Sequence, residues 1–136
     1  MSENSGKLIV NVFGKEGCQK CAMLNRRLDK LLGAPRFAQF EKKYNNVMTE
    51  DGMMKFCLAQ CLNPSRIPAM LISRIDENGK ETYLPNPHPG EQSEVYGHSK
   101  LFQFLGIQTD YSDEGKGIIT PEMIESVLVE ALNAAC

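Results

Sequence analysis

The chain lacks any stretch that could cross a membrane, because its apolar runs fall far short of the ~20 residues a spanning helix needs. It also lacks an excess of either charge. With 15 Lys and Arg against 17 Asp and Glu the net charge is −2, which leaves no footprint for nucleic acid or an anionic membrane. There is no P-loop, no dinucleotide-binding glycine fingerprint and no zinc-protease helix motif. Histidine is scarce. His88 lies between prolines and reads as exposed, His98 reads as a helix-start residue, and both are far in sequence from the cysteines. No Cys–His dyad for nucleophilic catalysis is offered. Residues 1–6 are short and polar, with neither a charged n-region nor an apolar h-region, so they are expected to be disordered rather than a secretory signal. A cytoplasmic location is the resulting expectation. No internal repeat, heptad or low-complexity tract interrupts the chain.

What is there suits an ordinary globule. At 136 residues, 42% hydrophobic and 24% charged, the chain is long enough to build one domain over residues 1–136 around a real core. Five cysteines in a reducing compartment argue for redox or metal chemistry rather than a disulfide framework.

The chemistry concentrates in Lys7 to Cys21. An apolar run (Leu8, Ile9, Val10, Val12, Phe13) ends at Gly14-Lys15-Glu16-Gly17 and delivers Cys18 and Cys21 two residues apart. From Ala22 to Leu32 the apolar positions Leu24, Leu28, Leu31 and Leu32 recur at helical spacing, and Gly33 stops the helix. A strand, a tight loop and a Cys-X-X-Cys opening a helix form a redox-active context. The first N–H groups of a helix are unpaired and carry the positive end of its dipole, so a thiolate placed there is stabilised relative to the thiol. Lys15 and Lys20 would add positive charge beside it, although Lys15 reads equally well as a solvated loop residue. Cys18 is then the exposed nucleophile, and Cys21, one turn in, the thiol that resolves the mixed disulfide.

The segment FGKEGCQKCA resembles the active-site start of glutaredoxins, with a lysine three residues before the first cysteine. Arg66-Ile67-Pro68-Ala69-Met70 resembles the hydrophobic–proline signature of the thioredoxin superfamily, and the two sites occur in the superfamily's order. The pair between the cysteines, Gln19-Lys20, is neither the Gly-Pro of thioredoxins nor the Pro-Tyr of glutaredoxins. Val12 stands six residues before Cys18, where thioredoxins keep a buried aspartate. The resemblance implies a thioredoxin-like α/β fold: a central mixed β-sheet flanked by helices, here with a Pro-rich insertion and an extra C-terminal helix. It implies a thiol–disulfide oxidoreductase acting on a protein or small-molecule disulfide and recharged by an upstream reductase. No bound cofactor is implied, with glutathione a candidate co-substrate. It also implies that Pro68 is cis and holds the Ile67 backbone beside the cysteines, where an extended substrate could pair with it.

Between these sites the pattern is less clear. Pro35 with Phe37, Phe40 and Tyr44 at i, i+3 and i+7 predicts a short helix over 35–43, then a strand over 44–48; a strand through Phe40, Lys42 and Tyr44 is the competing reading. Thr49 caps an expected helix carrying Met53, Met54, Cys57, Leu58 and Cys61 or Leu62. Cys57 and Cys61, spaced i, i+4, share one face. They read as buried core thiols, as a second redox pair, or as ligands joining Cys18 and Cys21 in a zinc or iron–sulfur site. That last reading makes a metal- or cluster-binding redox module the alternative function. Ile67–Ile75 and Lys80–Leu84 predict a hairpin through Asp76-Glu77-Asn78-Gly79. Residues 85–93 read as an irregular inserted loop, since three prolines fall between Pro85 and Pro89. A short extended piece over 94–97, a helical pattern from His98 to Leu105 and a polar loop over 110–117 follow. Thr120-Pro121-Glu122 starts a last helix with its stripe at Ile124, Val127, Leu128 and Leu132. Cys136 reads as a spare exposed thiol.

Overall fold

The computed structural model describes residues 7–49, 67–86, 101, 104–111, 117 and 119–135. Strand β1 (Lys7–Gly14) lies at the middle of a five-stranded mixed sheet and is buried from Leu8 onward. Burial on both faces is why its sequence is a nearly continuous apolar run rather than an alternating one. Helix α1 (Gln19–Leu32) is the crossover that returns the chain to β2 (Phe40–Asn46), parallel to β1 from Leu8↔Phe40 to Gly14↔Asn46. On the other side of β1 runs antiparallel β3 (Ala69–Ile75), in register from Lys7↔Ile75 to Phe13↔Ala69.

The far edge of β3 carries two short strands in succession. β4 (Glu81–Tyr83) pairs with Ser73–Ile75, and β5 (Gly106–Gln108) pairs with Ala69–Leu71, both antiparallel. They are two halves of one edge. Leu84 N–H donates to Ile72 O, Ile72 N–H to Leu105 O, and Leu105 N–H to Leu84 O across the break. Pro85 bridges Phe104, and Asn86 Nδ2 donates to Leu101 O at 2.6 Å. Residues 87–93 of the expected loop lie outside the described residues.

Helix α2 (Pro121–Ala135) packs with α1 on one face of the sheet. Leu8, Val10 and Val12 meet Leu24, Leu28, Ile124, Val127 and Leu128 there. On the opposite face Phe13 clusters with Val47, Ala69, Leu71 and Leu101. Thr120 caps α2, its Oγ1 accepting from Met123 N–H at 3.2 Å, and Arg27 of α1 reaches Ile119 O at 2.6 Å. No helix among the described residues is long and apolar enough to cross a membrane. A mixed sheet ordered β2-β1-β3-β4, flanked by helices, is the thioredoxin-like α/β fold.

Several expected elements stand where the pattern put them: α1 with its Gly33 stop, the β3–β4 hairpin and α2. The hairpin turn is held by Asp76, whose Oδ1 accepts from Asn78 and Lys80 N–H groups, and by Gly79 at φ +83°. Two expectations are overturned. The helix over 35–43 is a single 3-10 turn (Pro35–Phe37), and the chain is already β2 at Phe40, so the strand at 44–48 is displaced as well. Phe37 and Phe40 meet edge to face at 6.0 Å between ring centres. Their i, i+3 spacing reports a corner between turn and strand, and the seven-residue ladder to β1 satisfies more backbone than a short helix could. The helical pattern ending at Leu105 also fails at its described residues. Leu101 belongs to one core cluster and Leu105 to the other, so their spacing records two faces of a sheet edge. The expected helix bearing Cys57 and Cys61, the extended piece at 94–97, and Cys136 lie outside the described residues.

Candidate active site

β1 ends at Gly14, and the turn through Gly17 (φ +78°) brings Cys18 to the start of α1. Cys18 has extended backbone angles and is the N-cap, a position usually held by Ser, Thr, Asp or Asn. Its sulfur takes the role of their oxygen: the Cys21 N–H points at Cys18 Sγ at 3.2 Å. No acidic residue sits in the first turn of α1 to oppose negative charge there.

The two free thiols differ in exposure. Cys18 is partly exposed, whereas Cys21 is 1% exposed on the same helical stripe as Leu24 and Leu28. Burial, helped by the hydrogen bond and charge of Cys18, pushes the Cys21 thiol up to about 12, against the opposing pull of the Lys15 backbone and ammonium. One sulfur is partly exposed and the other is buried and held as a protonated thiol.

A stability consequence follows. An unfolded chain releases the Cys21 proton near its ordinary value of 9.0, while the folded chain keeps it to about 12. Between those values the unfolded state binds fewer protons, so this contribution is complete below about pH 9 and is lost as pH rises toward 12. In urea unfolding of the reduced protein, stability should fall more steeply above about pH 9 in wild type than in Cys21→Ser. Parallel curves would contradict it.

The antiparallel register that pairs Phe13 with Ala69 places Pro68 beside the end of β1, next to the cysteine loop. The Ile67–Pro68 bond is cis, and Pro68 is buried. The Pro68 carbonyl accepts from both the N–H and the hydroxyl of Thr109. The Ile67 carbonyl accepts from the Tyr111 hydroxyl at 2.5 Å. The position expected to pair with a substrate strand is thus filled by an exposed side chain of the protein itself.

Two tyrosines frame the dithiol, and neither was singled out from the sequence. The Tyr111 hydroxyl has its pKa raised by burial, then by Cys18 and Cys21; that of Tyr44 is raised by burial, then by Cys21, Cys18 and Glu16. Tyr44 reaches the site because β2 runs parallel to β1, which brings the C-terminal ends of both strands to the cysteine loop. A Cβ on Gly14 would lie 2.9 Å from Tyr44 Oη and 3.1 Å from Cys21 Sγ. Tyr111 comes from the loop after β5, which reads as featureless polar sequence. Only the pairing of β5 with β3 shows where it arrives.

Of the lysines, Lys15 acts on Cys21 as described. Lys20 runs its stem toward Gly117 (φ +71°), where an added Cβ would stand 2.7 Å from Lys20 Cε and 2.9 Å from the Tyr111 ring. Among the described residues no group of three or more His, Cys, Asp or Glu side chains gathers as a metal site. A four-thiolate site would need Cys57 and Cys61, which lie outside them.

No protein-family model matches the chain, and no curated protein matches it in sequence. Among solved structures it is similar to a poxviral disulfide oxidoreductase described as essential for cytoplasmic disulfide bond formation. The TM-score is 0.40, with 12% sequence identity over 89% of this chain and 90% of that one.

Proposed function

We propose that the protein is a thiol–disulfide oxidoreductase working through Cys18 and Cys21. The observation that carries this reading is the division of labour at the start of α1: a reachable sulfur receives the Cys21 N–H, and the second thiol is buried one turn further on. The Cys18 thiolate attacks one sulfur of a substrate disulfide, forming a mixed disulfide and releasing the first substrate thiolate. Cys21 then attacks Cys18 Sγ, the second substrate thiolate leaves, and the protein ends with a Cys18–Cys21 disulfide. Two electrons pass to the substrate, and the reverse sequence oxidises a dithiol. The substrates are protein or small-molecule disulfides, with an upstream reductase, or glutathione as co-substrate, restoring the dithiol.

The test is a redox titration under metal-free conditions, with thiols alkylated and read residue by residue by mass spectrometry. Cys18 and Cys21 should pair reversibly at potentials on the order of −200 to −300 mV. If they never pair, or become alkylatable only after chelation, exchange is the wrong reading and a metal site takes its place. The same spectra report whether Cys57 and Cys61 form a second couple.

An extended substrate lying across Cys18 would take the Ile67 carbonyl from Tyr111. Tyr111→Phe keeps the ring and frees that acceptor. A hydrogen bond of this kind is worth about 0.5–1.5 kcal/mol net, so KM for a peptide disulfide should fall by roughly 2- to 10-fold with kcat little changed. A small disulfide that makes no backbone contact should show no difference. An unchanged KM for the peptide would exclude the carbonyl from substrate binding.

A further inference from the structure

The resolving step leaves one proton without an assigned route. The attack needs the electron pair of the Cys21 sulfur, yet the folded protein keeps that sulfur buried and protonated. The proton must leave the interior as the new bond forms. The groups bearing on this point are Lys15 and Glu16 from the β1–α1 turn, Cys18 at the helix cap, Tyr44 on β2 and Tyr111 after β5. Lys15 acts on Cys21 through its backbone and its positive charge and offers no side-chain acceptor. Cys18 is bonded to substrate at that moment. The Tyr111 hydroxyl feels Cys18 more strongly than Cys21, the reverse of Tyr44.

Glu16 is exposed in the turn and bears on Tyr44 rather than on Cys21. Tyr44 remains, and the backbone makes room for it. Gly14 has no Cβ, and one there would stand 2.9 Å from Tyr44 Oη and 3.1 Å from Cys21 Sγ, which puts the two atoms no more than about 6 Å apart. Any larger residue at position 14 would push these two groups apart. The hydroxyl and the sulfur are therefore within the reach of a single bridging water, a separation over which proton transfer operates. Tyr44 is also 38% exposed, so the side chain that nears the buried thiol also meets solvent.

We propose that Tyr44 is the positioning and proton-relay residue for Cys21, carrying its proton across the Gly14 gap to solvent during the resolving step. This rests on the exchange reading above. Cys21–SH attacks Cys18 Sγ of the mixed disulfide, the Cys18–Cys21 bond forms, and the bond to the substrate sulfur breaks. The Tyr44 oxygen accepts the proton of Cys21 as its own proton passes to water, and the departing substrate thiolate is protonated from solvent. The relay neither gains nor loses a proton, so tyrosine can perform it without ionising.

The experiment follows the mixed disulfide at Cys18 after one addition of a peptide disulfide, by rapid acid quench, alkylation and mass spectrometry, in the full chain. In Tyr44→Phe, formation of the mixed disulfide should match wild type, because Cys18 attack does not use Tyr44. Its decay should slow by about tenfold or more and should rise more steeply with pH, since hydroxide must now take the proton. A small diffusible base such as imidazole should restore decay in Tyr44→Phe and leave wild type unaffected, which a purely structural role would not do. Coincident decay rates and pH profiles, or slow decay that no buffer base rescues, would overturn the relay. If wild type itself forms no mixed disulfide at Cys18, the exchange reading falls, and the relay with it.

Discussion

Cys18→Ser should lose disulfide exchange to background, a drop on the order of 10³-fold or more, while the fold is retained. Serine is itself a good N-cap, so the hydroxyl can accept the Cys21 N–H that the sulfur now accepts, and α1 keeps its start. What disappears is the only partly exposed sulfur of the pair. Cys21 cannot substitute, being 1% exposed with its thiol pushed up to about 12. The complementary change behaves differently. Cys21→Ser leaves the attacking sulfur in place, so the first thiolate is still released and a mixed disulfide on Cys18 accumulates. Together the two variants test the order of events. Full activity in Cys18→Ser would mean that the wrong sulfur has been named the nucleophile. A Cys21→Ser protein that turns over many times would mean that resolution comes from an external thiol.

The parts of the site that could be read from sequence share one physical property: their determinants are local. Cys18 caps α1 because the dipeptide spacing, the preceding glycines and the apolar stripe from Cys21 to Leu28 all lie within one strand–turn–helix unit. The hairpin through Asp76 and Gly79 was legible for the same reason, since turn chemistry acts over four residues. Tyr44 and Tyr111 were not legible because their places depend on long-range register. Tyr44 arrives by parallel pairing of β2 with β1, and Tyr111 by pairing of β5 with β3. Phe37 and Phe40 misled because an i, i+3 contact can be made around a corner as well as along a helix. The split edge strand was hidden for a related reason. Nothing in Leu84 or Leu105 announces that their backbones meet.

Gly106→Ala should be the most destabilising alanine substitution among the described glycines. A Cβ at Gly106 would lie 2.3 Å from the Met70 carbonyl oxygen and 3.0 Å from side-chain carbons of Leu101 and Leu71. The leucine methyls could turn aside. The Met70 carbonyl belongs to β3, between β1 and β5, and moving it disturbs both pairings. The expected loss is about 3–5 kcal/mol, the range that requires a named steric cause, and with it roughly 10 °C or more of Tm. Two other glycines supply the scale. Gly33→Ala meets nothing closer than 3.4 Å at a helical φ of −73°, so it should be neutral or slightly stabilising. Gly79→Ala meets open space but must adopt φ +83°, costing about 1–2 kcal/mol. The same methyl thus has three different costs, set by clash, by conformation or by neither. Urea unfolding of the three variants measures them directly, and a Gly106→Ala protein within about 1 kcal/mol of wild type would show that β5 does not pack on β3 this closely. Activity should fall with stability at this position, because β3 carries Ala69 and so sets where Pro68 and Ile67 stand relative to the dithiol.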